Sequence, residues 1–132
     1  MTTLAAEPAS ALLTSPHADL SMLVGTWLNT NERSSGLVKL VMERQGSDLT
    51  VDLFGAGEHG PVAWGTVPAT VFFERNDEGV EQPFSARYEL GFMTVSVQGF
   101  LRQGVLVILS FTRFNDGSPR SNYFSKEFFF RS

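Results

Sequence analysis

The stretch Leu23-Val24-Gly25-Thr26-Trp27-Leu28-Asn29-Thr30 decides how this chain is read. It opens the first apolar run and carries one of only two tryptophans. Read as a strand, it places Trp27 and Asn29 on one face and Thr26 and Leu28 on the other. Outward from it, short runs rich in Val, Phe, Leu and Thr alternate with clusters of Gly, Asn, Asp and Pro, the pattern of an all-β sandwich or barrel. Strands are predicted at about 23–30, 36–44, 48–54, 62–74, 83–91, 93–102, 104–114 and 121–131. Gln45-Gly46-Ser47 and Arg102-Gln103-Gly104 read as tight hairpin turns, and Leu90-Gly91-Phe92-Met93 as another short reversal. No connection has room for a crossover helix, so the expected fold is all-β, an eight-stranded antiparallel up-and-down β-barrel. Pro68 falls inside the fourth run and predicts an edge, a bulge or a break there.

The 132 residues suffice for one domain, placed at 20–132. The Ala-, Ser-, Thr- and Pro-rich stretch 1–19 reads as a flexible N-terminal arm, with Asp19 set to cap a single helical turn. There is no cysteine, which excludes disulfides, thiolate metal sites and a cysteine nucleophile. No basic segment leads into an apolar one at the N-terminus, and no run approaches the roughly 20 apolar residues of a membrane helix. The expectation is a cytoplasmic protein with no membrane partner. A net charge of −4, with acids and bases dispersed, argues against nucleic acid. The twelve phenylalanines suit strands and an apolar cavity.

Gly25-Thr26-Trp27 on the first of eight strands, with Arg131 late in the last, resembles the opening of the lipocalin and avidin-like barrels. The resemblance implies that Trp27 plugs a closed end and that Arg131 packs across its indole, a cation–π contact worth about 0.5–2 kcal/mol. The avidin ligand set is not matched, since Trp64 alone remains as a wall tryptophan. With strand 1 starting at the closed end, the connections at 45–47, 75–82 and 102–104 belong there too. The loops around 30–35, 55–61 and 115–120, and the tight turn at 91–92, then form the binding mouth.

Alternation assigns the lumen. It groups Trp64, Thr66, Thr70 and Phe72 on strand 4, provided Pro68 does not shift the register, and Phe84, Ala86 and Tyr88 on strand 5. On strand 7 it groups Val105, Val107, Leu109, Phe111 and Arg113. On strand 8 it groups Tyr123, Ser125, Glu127, Phe129 and Arg131. The candidate ligand-binding residues are Asn29, Trp64, Thr66, Phe72, Phe84 and Phe111. The candidate catalytic residues are Tyr88 and Tyr123, as donors to a carbonyl or enolate oxygen, and Arg113, stabilising its charge. Arg113 and Arg120 flank the turn sequence Asn115-Asp116-Gly117-Ser118-Pro119, which reads equally as an ordinary hairpin loop with an Asp116 salt bridge.

Of the two histidines, His17 lies on the arm and His59 follows Glu58 in a glycine-rich loop, an acid–base pair or simply a solvated one. Gly55-x-Gly57-x-x-Gly60 spells a dinucleotide pattern but opens no helix and is rejected. No metal-ligand spacing and no nucleophile elbow occurs, so neither metal nor cofactor is expected.

In size and architecture the chain is similar to the small β-barrel cyclases, including polyketide cycloaddition catalysts and allene oxide cyclase. That similarity implies a cofactor-independent cyclase acting on an apolar, polyketide-like molecule in the lumen, where orientation supplies up to roughly 7–11 kcal/mol. The lipocalin resemblance implies instead a non-catalytic carrier or sequestering protein for an apolar small molecule. A filled barrel that serves only assembly is the third reading. Val105 to Leu109 and Phe128 to Phe130 are apolar on both faces, which predicts a covered exterior, under the arm or, better, in a homodimer.

Overall fold

Strands β1 (Gly25–Asn29), β2 (Leu37–Gln45), β3 (Asp48–Gly55), β4 (Val62–Val71), β5 (Phe84–Glu89), β6 (Met93–Arg102), β7 (Val105–Phe114) and β8 (Tyr123–Arg131) follow one another along the chain. In the computed structural model each pairs antiparallel with the next, and β8 returns to β1, closing an eight-stranded up-and-down barrel. The structure describes residues 20–73 and 81–132. The arm at 1–19, with His17 and the Asp19 cap, and most of the 75–82 connection lie outside the described residues. A single 3-10 turn, Leu20–Met22, precedes β1, and among the described residues no helix is long and apolar enough to cross a membrane.

The tight turns fall where glycine was read. Gln45 pairs with Asp48 across Gly46-Ser47, and Arg102 pairs with Val105 across Gln103-Gly104. Pro68 does not break β4, because it stands opposite Thr50 in the β3 ladder. On its other side β4 meets β5 only through Thr70 and Val71, so the missing Pro68 N–H costs no ladder bond to β5.

The lower half of the barrel is solid. Trp27, Phe84, Phe129, Leu40, Met42, Val51 and Ile108 fill it, all essentially without solvent contact. Trp27 donates its indole N–H to the Leu23 carbonyl at 2.9 Å, and the Arg131 guanidinium lies 4.4 Å from its ring centre. Arg131 also donates to the carbonyls of Val24 and Met22, so one side chain caps the indole and ties down the segment entering β1. Gly25 is required twice over. Its φ is +135°, and a Cβ there would lie 2.7 Å from an Arg131 nitrogen.

The outer surface of β7 and β8 is apolar, as the two-sided runs imply. Phe111, Phe124, Phe128 and Phe130 are between 43% and 54% exposed. Phe111 stands opposite Phe124 in the ladder with ring centres 5.1 Å apart, and Val107 stands opposite Phe128. Both faces of these strands are therefore occupied, one by core and one by exposed aromatics.

Truncating Trp27 removes the plug and leaves Arg131 over a void. Trp27→Ala is expected to cost about 3–5 kcal/mol in urea unfolding, as large aromatic truncations in cores do. An unchanged unfolding midpoint would show that the closed end does not depend on the indole.

Candidate functional site

Above the solid half the barrel is hollow. A cup of about 780 Å³ opens at the end carrying the 30–36, 56–61 and 115–122 loops. Its walls differ. Leu37, Trp64, Met93 and Val95 make one side apolar, whereas Asn29, Ser110, Thr112, Ser125 and Glu127 make the other polar. The polar wall comes from β7, β8 and β1, and Trp64 faces it from β4, three or four strands away in the closed order.

Trp64 is placed by a bulge. Asp52 pairs with Thr66 and Phe54 with Ala63, so β4 has one residue more than β3 and Leu53 has no β4 partner. Gly65 absorbs the extra residue at φ +104°, a conformation that L side chains resist. The Tyr88 hydroxyl fills the gap from β5. It accepts the Leu53 N–H at 3.1 Å and donates to the Gly65 carbonyl at 2.7 Å, with the Val51 carbonyl at 3.0 Å sharing the proton. Trp64 then packs edge-on against Tyr88, ring centres 5.8 Å apart. It also lies so close over Gly55 that a Cβ there would come within 2.8 Å of the indole nitrogen.

This bulge corrects the expected β4 face. Beyond Gly65 the parity inverts, so Val67, Ala69 and Val71 pack on the core. Thr66 and Phe72 are therefore not in the lumen. Thr66 is exposed and donates to Asp52, while Phe72 is 47% exposed just past the end of β4. The expected β7 face is likewise inverted. Leu106, Ile108, Ser110 and Thr112 are buried, opposite inward residues of β6 and β8, so Phe111 and Arg113 point outward. They line a shallow exterior groove of about 410 Å³ with Arg87, Ser96 and Phe124. The run Val105 to Leu109 is apolar throughout and gives alternation no phase. The two-residue turn at Gln103-Gly104 sets it instead, by pairing Leu101 with Leu106.

The remaining candidates divide by height. Asn29 and Trp64 line the cup, and Tyr123 stands at its rim, 55% exposed. Phe84 and Tyr88 point inward but are buried in the core cluster. Tyr88, Tyr123 and Arg113 thus do not converge on one point. The single Tyr88 proton is already given to backbone carbonyls, and burial pushes the phenol up to about 12, partly offset by the Leu53 N–H and reinforced by the Asp52 charge.

At the mouth, Arg120 pairs with Asp116 at 2.6 Å and lies 4.3 Å over the Phe114 ring, the ordinary-loop reading of that segment. Ser118 hydrogen bonds, with Arg120 adding to them, hold the Asp116 carboxyl below its usual range. Glu58 and His59 are 4.0 Å apart with side chains 89% and 92% exposed, an arrangement dominated by solvent. Among the described residues no group of His, Asp and Glu could hold a metal ion.

The polar centre of the cup is Glu127, which the sequence placed on the inward face of strand 8 but not among the site residues. Its Oε1 accepts hydrogen bonds from Asn29 Nδ2 and, at 2.7 Å, from Ser34 Oγ. Asn29 is itself fixed, donating to the Leu37 carbonyl at 2.8 Å and accepting the Asn31 N–H at 2.7 Å. The available signal was an acidic residue on the face that also carries Tyr123, Ser125, Phe129 and Arg131, next to the apolar run Phe128-Phe129-Phe130.

Together the fold and cup define a class: an eight-stranded, antiparallel up-and-down β-barrel closed below and hollow above. Comparison of the chain with known families, curated proteins and solved structures yields no match.

Tyr88→Phe strands the Leu53 N–H and the Gly65 carbonyl, an expected loss of about 1–3 kcal/mol at neutral pH. Because the folded-state phenol titrates above the ordinary value of about 10, its contribution is complete below pH ~10 and is lost as the pH rises towards 12. Urea unfolding across that window should show wild-type stability falling more steeply than that of the variant. Parallel curves would show that the phenol is not held neutral by the fold.

Proposed function

We propose that this chain binds a small, largely apolar molecule in the upper cup. The supporting observation is the hollow of about 780 Å³ above a solid core, within the size range of small-molecule sites. A barrel built only for assembly has no reason to leave its upper half unfilled, since each void forfeits packing energy. In this reading the protein is a carrier or sequestering protein of lipocalin-like character, with the ligand's apolar body on Trp64 and Val95 and its polar end on the opposite wall.

A specific feature also favours turnover. The Glu127 carboxylate is held in the cup by two donors, as a general base would be, and such a group acts without a cofactor. On this second reading the protein is a cofactor-independent cyclase acting on a flexible, polyketide-like molecule. Its acid–base group is Glu127, rather than a Tyr88, Tyr123 and Arg113 set.

Titration with the neutral dye N-phenylnaphthylamine checks the binding reading. Its emission should rise on entering the cup, and Trp64→Ala should weaken binding by roughly tenfold, about the loss of a buried aromatic contact. No emission change at micromolar protein would remove the cup as a binding site. Conversion of a polyunsaturated cyclisation precursor by wild type, lost in Glu127→Gln with ligand affinity retained, separates the cyclase from the carrier.

The same proposal includes a dimer through the outer face of β7 and β8. A closed barrel has no free edge for strand addition, so association must be face to face. The exposed aromatic patch around Phe111, Phe124 and Phe128 supplies apolar surface that a twofold interface would bring against its own copy. Sedimentation should give a dimer that Phe128→Glu converts to monomer. A wild-type monomer across a wide concentration range would leave the patch to the arm at 1–19 instead.

A further inference from the structure

We infer that the ligand of the cup is held by a hydrogen-bond donor of its own, a hydroxyl or an ammonium given to Glu127, and that the cup disfavours molecules ending in a carboxylate. This rests on reading the cup as a small-molecule site, and it narrows the ligand class.

The charge inventory of the lumen supports it. Among the described residues, Glu127 is the acidic side chain that a strand turns inward, and the cations at inward positions, Arg44 and Arg131, lie at the other end of the barrel. Arg131 is committed there to two backbone carbonyls and the Trp27 ring. Arg33 and Lys126 reach the cup only as exposed residues at its rim. An anion entering the cup therefore meets a carboxylate on the polar wall that no described residue pairs with as an ion.

Hydrogen-bond accounting sharpens the point. An ionised carboxylate only accepts, and both donors it meets, Asn29 Nδ2 and Ser34 Oγ, go to the same oxygen, Oε1. Neither donor can be redirected cheaply. The second Asn29 amide hydrogen goes to the Leu37 carbonyl, its carbonyl oxygen takes the Asn31 N–H, and Ser34 Oγ accepts from the Gly36 N–H. Oε2 has no hydrogen-bond partner among the described residues. It lies beside Gly36, where a Cβ would come within 3.1 Å of it, so the glycine keeps this oxygen uncovered. A charged acceptor left open in a half-enclosed cup is complemented by a donor and opposed by a second carboxylate.

The test is displacement of bound N-phenylnaphthylamine from the full chain by octanol, octylamine and octanoate, which share one apolar body and differ only in the polar end. Octanol or octylamine should compete at least about tenfold more tightly than octanoate, the usual worth of a charge-assisted hydrogen bond. Octylamine ahead of octanol assigns the donor as a cation, and the two at parity assign it as a hydroxyl. Glu127→Gln retains an acceptor for Asn29 and Ser34 but presents an NH₂ where Oε2 stood, so octanoate should gain and octylamine lose by a similar factor. Octanoate binding to wild type as tightly as its partners, or an unchanged order in a folded Glu127→Gln, overturns the inference while the cup survives. Failure of the dye itself to bind overturns the cup reading, and this inference with it. The wild-type ranking decides the matter even where the variant does not fold.

Discussion

The Tyr88 hydroxyl sits where three strands leave one another incomplete. At the Gly65 bulge β4 withholds a partner from Leu53, and the β4–β5 ladder is confined to Thr70 and Val71. An unpaired N–H and carbonyl inside a barrel would each carry a desolvation cost, and one phenol answers both from the far side of the gap. The same atoms hold the bulge that turns Trp64 inward and then places Val67, Ala69 and Val71 on the core. The apolar wall of the cup is thus a consequence of how a backbone defect is satisfied.

The two ends of the barrel are built on opposite principles. Below, Trp27 and Arg131 lock the entry of β1 to the exit of β8, and large side chains fill the interior until no room is left. Above, the inward positions of β7 and β8 become small or polar, with Ser110, Thr112 and Ser125 replacing the Leu and Ile of the lower rungs. Small side chains on adjacent strands cannot meet across an eight-stranded lumen, so the space stays open. Ser110 and Ser125 instead pair with each other at 2.6 Å along the wall. The loop at 30–36 closes over one side of this opening and is held by the Ser34 hydrogen bond to Glu127.

That latch links the mouth to the chemistry of the cup. Glu127 orients Asn29 and Ser34 as much as they orient it. Tyr88, by contrast, is a structural residue whose inward direction gives it no free proton to offer. An inward-facing polar group and an available one are different things, and the backbone's own demands separate them.

The strand count, the antiparallel order and the tight turns at 46–47 and 103–104 were legible in the chain alone, whereas the closed end at Gly25-Thr26-Trp27 was implied by the resemblance to lipocalin and avidin-like barrels. The first three are local or near-local properties, set by turn chemistry and by apolar runs of strand length. Counting alternate residues also put Asn29, Trp64, Tyr88 and the odd-numbered β8 residues on the inner face, because no bulge intervenes between each of them and the start of its count. The tertiary structure alone decided the faces of β4 beyond Gly65 and of β7. A bulge flips every later side chain, and Val105 to Leu109 offers apolar residues to both sides, so the phase comes from pairing with neighbours. It alone decided that Tyr88 spends its proton on the backbone, and that Glu127, Asn29 and Ser34, 98 and 93 residues apart from the carboxylate along the chain, share one oxygen. Such meetings depend on barrel closure between β8 and β1, which no short-range pattern encodes.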